Sequence, residues 1–158
     1  FAELGVYKGG GCKLISLTNK MNKKIYGFDT FEGFPELDKK KNPTWKAGQL
    51  NDAPIEQVKK YINDDNVILI KGVFPETVKD IPENTQFSFI HIDTDLYEGT
   101  LAGCEYFYDK IIPGGVLLVD DYGFLSCPGV NHAINEFFDG KSEEPIYLPS
   151  GQCFIIKH

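Results

Sequence analysis

Two apolar runs, each ending in a pair of acids, constrain this chain most. Phe87-Ser88-Phe89-Ile90-His91-Ile92 runs into Asp93-Thr94-Asp95, and Gly115-Val116-Leu117-Leu118-Val119 runs into Asp120-Asp121-Tyr122. Short runs this apolar read as strands buried on both faces, the habit of a parallel sheet. Ligands of an open α/β sheet bind at the carboxyl ends of its strands. All four carboxylates are therefore expected at one rim. Gathered there they repel one another and raise each other's pKa. A bound divalent cation is the simplest thing that removes that cost, and all-oxygen ligation points to Mg²⁺ or another divalent cation.

The rest of the chain supplies the sheet those strands need. Phe1 to Val6 reads as a first strand, Lys24 to Asp29 as a second and Val67 to Ile70 as a third, with helices expected through about Asn19 and over Ile55 to Ile62. Helices are also expected over Tyr97 to Asp109 and Val130 to Phe138, with Pro113-Gly114-Gly115 as a turn between the acidic runs. Pro145 to Leu148 and Cys153 to Ile156 finish the chain as a hairpin. This alternation predicts an α/β fold: a doubly wound, mostly parallel seven-stranded sheet with its last strand antiparallel, in a single domain over residues 1–158. Thr30 to Pro54 is aperiodic and rich in Gly, Pro, Lys and Asn, the composition of a functional or mobile loop.

Charge and cysteine usage exclude several partners. The net charge is −7 and all 16 basic residues are Lys. No basic stripe can track a phosphate backbone, and no guanidinium fork can clamp one, so neither nucleic acid nor an anionic membrane is expected as a partner. The cysteines (Cys12, Cys104, Cys127 and Cys153) form no C-x-x-C pair. They read as buried thiols of a reducing compartment, which with no visible signal peptide or membrane run gives a cytoplasmic expectation. His91 lies inside its strand and reads as a packed core histidine. His132 reads as a surface or capping residue, Lys39-Lys40-Lys41 as a solvated face, and Trp45 as packing for the long loop.

Glu3-Leu4-Gly5-Val6-Tyr7-Lys8-Gly9-Gly10 is a strand, a glycine turn and a helix start, and Asp29 ends the next strand where an acid commonly holds a ribose hydroxyl. The spacing suits a nicotinamide cofactor or S-adenosylmethionine. Glu at position 3 and Tyr at position 7 depart from G-x-G-x-x-G and suit the second better. There is then no pyrophosphate to wrap, and an acid tolerates a cationic ammonium. The alternatives are an NAD(P)-dependent oxidoreductase, which lacks a convincing hydride-transfer constellation here, and a non-catalytic S-adenosylmethionine-binding module.

Four segments in order, Glu3-x-Gly5-Val6-Tyr7-Lys8-Gly9-Gly10, Gly27-Phe28-Asp29-Thr30-Phe31-Glu32-Gly33-Phe34-Pro35, His91 to Glu98, and Pro113 to Gly123, resemble the macrocin O-methyltransferase family. The resemblance implies a Rossmann-like class I fold and a Mg²⁺- and S-adenosylmethionine-dependent enzyme that methylates sugar hydroxyls in natural-product biosynthesis. It implies metal ligation by Asp93, Asp120 and Asp121, with Asp95 as general base. It places Glu3, Gly5 and the following turn (Tyr7, Gly9), together with Asp93, near the methionine part. Asp29 and Thr30 fall at the ribose, and Gly72, Val73 and Phe74 near the adenine. The partner implied is a small hydroxylated acceptor such as a sugar, and a homo-oligomer is consistent with the family. Family members carry helices ahead of the first strand. This chain starts without Met inside a strand, so those helices are expected to be missing from it.

Overall fold

In the computed structural model, which describes residues 1–158, one sheet of seven strands carries the order β3-β2-β1-β4-β5-β7-β6. The strands are β1 (Ala2–Leu4), β2 (Ile25–Asp29), β3 (Val67–Lys71), β4 (Phe87–Ile92), β5 (Ile111–Val119), β6 (Ile146–Tyr147) and β7 (Cys153–Ile156). The helices are α1 (Gly10–Thr18), α2 (Ile55–Ile62), α3 (Tyr97–Phe107) and α4 (Pro128–Phe138). Strands β1 to β5 pair in parallel, and β7 lies antiparallel between β5 and β6. Short 3-10 turns at Glu76–Asp80 and Tyr108–Lys110 complete the order.

Alternation along the strands builds two cores. Tyr26, Phe28, Ile68 and Ile70 face α3 and α4, in a cluster that includes Phe87, Phe107, Val130 and Ile134. Ile25, Val67 and Leu69 face the other way, with Val6, Cys12, Val58 and Ile62 beneath α1 and α2. Both faces of the central strands are thus covered, as their apolar runs require. No helix is long and apolar enough to cross a membrane.

The largest boundary difference from the sequence reading lies at β5, which starts at Ile111. Pro113-Gly114-Gly115 does not form a turn before β5 but lies inside it, and the β4–β5 register shifts between Phe87 and Phe89. Backbone bonds from Gly114 to the Lys157 carbonyl and from Lys157 to the Gly115 carbonyl hold this stretch in the sheet. The final hairpin is also tied down by a buried acid. Glu143 accepts bonds from Tyr108, Ser142 and Lys157, and these partners hold its carboxyl well below the usual range.

Candidate active site

The carboxyl ends of β1, β2 and β4 converge, and a cavity of about 420 Å³ opens above them. Gly5 follows β1 at φ +91°, and a Cβ there would run into the Asp93 carbonyl. Only glycine permits β1 and β4 to end this close together. Two residues on, Tyr7 turns left-handed at φ 47° and donates its backbone N–H to Asp29 Oδ2 at 2.8 Å. Asp29 Oδ1 accepts the Phe31 N–H at 2.7 Å. One carboxylate therefore shapes both turns that wall the cavity, and each oxygen keeps acceptor capacity for a ligand hydroxyl.

Gly5, Tyr7, Asp29, Thr30, Gly72, Val73, Phe74, Asp93 and Asp95 all line this cavity. Phe28, Phe74 and Ala102 give it apolar walls, suited to a flat ring. Glu3 and Gly9 stand outside it. A Cβ on Gly9 would press on Val58 and Ile62, so that glycine serves the contact between α1 and α2. Glu3 is 1% exposed beneath α1, where a Cβ on Gly11 would strike its carboxylate. Its Oε1 pairs with His91 Nδ1 at 2.9 Å.

The long loop covers the cavity's outer side through Gly33, Phe34, Pro35, Glu36 and Leu50. It closes on itself, with Gly48 donating to the Phe34 carbonyl and Phe34 to that of Gln49. Trp45 stacks edge-on against Phe34 with ring centroids 5.2 Å apart. Asn42 is buried and accepts the first N–H of α3, from Tyr97, at 2.8 Å, while its amide donates to Glu98 at 2.7 Å.

The acids at the rim divide into two groups. His91, Asp93 and Asp120 bring ligand atoms within 4.8 Å of one another, and so do Asp95, Asp121 and Cys127. Asp121 therefore stands with Asp95 rather than with Asp93 and Asp120, the two acids it shares a role with in the family resemblance. Asp95 and Asp121 both adopt left-handed backbone, at φ 58° and 61°. Left-handed aspartates are uncommon and gather at functional sites. Burial pushes Asp93 up to about 7, with Asp120 and Asp121 adding to it and His91 opposing. Burial also pushes Asp95 up to about 7, followed by the charges of Asp121 and Asp93. Asp121 is raised by burial and then by Asp120. Burial lowers His91 and the Glu3 carboxylate raises it, with a net rise. The Cys127 thiol, pushed up to about 11 mainly by burial, stays protonated and points its Sγ at Asp95 Oδ1 from 3.6 Å. Gln152 donates to Asp120 Oδ2 at 3.4 Å.

Sequence reading missed the Glu3–His91 pair, although both residues stood out as polar members of apolar strands. It also missed Asn42, for which a loop asparagine gives no signal.

A sheet in this order, with its cavity at the carboxyl rim beside the end of β1, defines the class I methyltransferase fold. The chain belongs to the macrocin-O-methyltransferase (TylF) family, whose sequence profile matches residues 1–147. The 8-demethyl-8-(2,3-dimethoxy-alpha-L-rhamnosyl)-tetracenomycin-C 4'-O-methyltransferase of Streptomyces olivaceus is 27% identical over 145 residues, covering 82% of this chain and 55% of the relative. The demethyldecarbamoylnovobiocin O-methyltransferase of Streptomyces niveus is 26% identical over 150 residues, covering 85% and 56%. The chain thus spans little more than half the length of these curated relatives. Among solved structures, the O-methyltransferase NovP superposes with a TM-score of 0.84 at 23% identity, over 99% of this chain and 71% of that one. The calicheamicin methyltransferase CalS11 superposes at 0.83 and 22%, with the same coverage. Neither an oxidoreductase nor a non-catalytic binding module is favoured by these relatives.

Proposed function

We propose that this chain is the catalytic domain of an enzyme that moves a methyl group from S-adenosylmethionine to a hydroxyl oxygen of a sugar or other diol-bearing small molecule, with a divalent cation required. One observation carries the reading. Asp29 and Asp95 line the same cavity, so a nucleoside held at the first lies beside a base at the second. The name of the Streptomyces olivaceus relative, which specifies a rhamnosyl group, supports the acceptor class. The cavity's apolar walls suit adenine near Gly72, Val73 and Phe74, and Asp29 suits the ribose hydroxyls.

Asp95 is suited to act as general base because burial and Asp121 hold its pKa near neutrality. A base tuned to the working pH balances proton affinity against availability. Asp95 takes the hydroxyl proton, the oxygen's electron pair forms the new C–O bond, and the S–CH₃ bond breaks with its pair left on sulfur. Sulfonium and alkoxide charge cancel as this happens, which a water-poor site favours. The products are the methyl ether, S-adenosylhomocysteine and protonated Asp95.

The residues at the rim fit a divalent cation. Asp93 and Asp120 offer carboxylate oxygens, and the buried Nε2 of His91 beside them has no hydrogen-bond partner. Such a cation would lower the pKa of a neighbouring hydroxyl. Asp93 and Asp120 would hold it, while Asp121 acts on Asp95. The direct test is titration calorimetry with S-adenosylmethionine and with NADH, then turnover on glycosides bearing vicinal diols, with and without EDTA. Binding of S-adenosylmethionine alone and EDTA-sensitive methylation are expected. Full activity in excess EDTA overturns the metal requirement, and binding of NADH alone overturns the reading.

A further inference from the structure

The loop after β5 and the turn between β6 and β7 are locked together beside the acidic rim. Gly123 donates its N–H to the Gly151 carbonyl at 2.7 Å. Each segment also offers the other a glycine on which an aromatic ring rests. A Cβ on Gly123 would strike the Tyr147 ring, and one on Gly151 would strike that of Phe124. Tyr122 stands next to Tyr147 with ring centroids 6.1 Å apart, and its hydroxyl is tied to Asn135 at 2.9 Å. These rings are held in place, yet much of their surface is open. Phe124 is 47% exposed, Tyr147 55%, and Leu125, next in the chain, 99%. Contiguous apolar surface left open in this way marks a place where something binds.

The patch begins where the acids end. The Phe124 N–H is bonded to the Asp121 carbonyl at 3.0 Å, and the Asp121 and Asp95 carboxylates fall within one 4.8 Å group. On the other segment Gln152, which follows Gly151, reaches Asp120 at 3.4 Å. A sugar with a hydroxyl at Asp95 therefore has this surface beside it.

We propose that Phe124, Leu125 and Tyr147 form a subsite for what the methylated sugar is attached to, and that this is an uncharged apolar aglycone rather than a nucleoside diphosphate. The inference rests on the methyl-transfer reading above and deepens it by narrowing the acceptor class. Charge decides between the two. The chain has no arginine, and residues 111–140 and 142–156, which carry the whole patch, contain no lysine. A pyrophosphate there would meet Asp120 and Asp121 and no guanidinium or ammonium from either segment. Two lysines of the covering loop are engaged elsewhere, Lys39 with the Trp45 carbonyl and Lys41 over the Tyr97 ring. Size points the same way. An aromatic side chain buries about 150–250 Å², so three side chains offer several hundred at most. That suits a small ring system and falls short of the roughly 1,000 Å² that a stable contact with a second copy needs.

The test compares rhamnose bearing three anomeric groups: methyl, 2-naphthyl and thymidine diphosphate. Binding is measured with S-adenosylhomocysteine and Mg²⁺ present, and turnover with S-adenosylmethionine and Mg²⁺. The naphthyl glycoside should bind about tenfold tighter than the methyl glycoside, the worth of burying one apolar group, and tighter than the diphosphate. Leu125→Gln and Phe124→Ser should erase most of that difference. In turnover they should raise KM for the naphthyl glycoside with kcat little changed, as loss of uniform binding does, and leave KM for the methyl glycoside where it was. A merely structural role would move both glycosides together. Leu125 has almost no contact to lose, so its variant reports even if Phe124→Ser misfolds. Equal affinity for the naphthyl and methyl glycosides, tighter binding of the diphosphate, or binding of none of the three overturns the subsite. The methyl-transfer reading then still stands if S-adenosylmethionine binds. A wild-type dimer that Leu125→Gln turns into a monomer assigns the patch to a second copy and also overturns the subsite. Failure to bind S-adenosylmethionine overturns both.

Discussion

The backbone N–H of Tyr7 donates to Asp29 Oδ2 at 2.8 Å, so the acid that faces the proposed ribose also ties the β1 turn to the β2 turn. Asp29→Ala should then do two things at once. It should weaken S-adenosylmethionine by about 1–3 kcal/mol, the scale of a lost hydrogen bond to a charged group. It should also lower the melting temperature of the ligand-free protein, because the N–H groups of Tyr7 and Phe31 lose their acceptor. Calorimetry and thermal denaturation read the two separately, and an unchanged dissociation constant removes Asp29 from the site.

The roles at the rim separate by substitution. Asp95→Asn should leave cation affinity nearly intact and lower turnover about 10²–10⁴-fold, the usual scale for loss of a general base. Asp120→Asn should weaken the cation and be partly rescued by excess metal. If Asp95→Asn instead abolishes cation binding while Asp93→Asn retains it, base and ligand are exchanged.

Stability of the cation-free protein should fall as pH rises. Asp93 and Asp95 are raised in the folded state from the ordinary 3.8 to about 7. A group raised on folding contributes stability that is complete below its unfolded pKa and is lost as pH climbs through the folded one. The loss should therefore run from about pH 4 to just above 7 in EDTA. Asp95→Asn should make the protein more stable than wild type at pH 8, and added divalent cation should stabilise the wild type more at pH 8 than at pH 5. A flat melting profile across this window in EDTA would show that the buried acids are not held near neutrality.

Asn42 caps α3 from a loop more than fifty residues away in sequence. Asn42→Ala should destabilise the protein by about 0.5–2 kcal/mol, as loss of a helix cap does. It should also raise amide exchange across residues 36–50. In the wild type, ligand-dependent protection should concentrate around Phe34–Glu36 and Leu50, which line the cavity, and should be small at Asn42, which is already pinned. Equal protection throughout the loop with and without S-adenosylmethionine and acceptor would mean that the loop does not close on ligand.

Some of this was readable directly from residues. Helix α2 and strand β4 match the sequence reading end to end, because Ile55, Val58 and Ile62 recur at helical spacing and the β4 run is bounded by polar residues on both sides. The seven strands and the antiparallel close were legible for the same reason. What was not legible depends on partners far away in sequence. Pro113-Gly114-Gly115 has the local chemistry of a turn, and only Lys157 makes it strand. His91 acquires its carboxylate from the β1–β4 register, which no local pattern encodes. Alternation along β5 already sends Asp120 and Asp121 to opposite faces, whereas the left-handed backbone of Asp121 is something a non-glycine residue does not advertise.

The sheet order also sets a timetable. Strand β7 sits between β5 and β6, so β5 keeps one edge unpaired until Cys153–Ile156 have been synthesised. Chains emerge at about 5–20 residues per second, and an open apolar edge invites pairing with another chain in the interval. Asp120 and Asp121 lie at the end of that unfinished strand, and the Gln152 that reaches Asp120 comes last as well. A nascent chain therefore cannot close the core around α3, to which Cys153 and Ile155 belong, until β7 has been made.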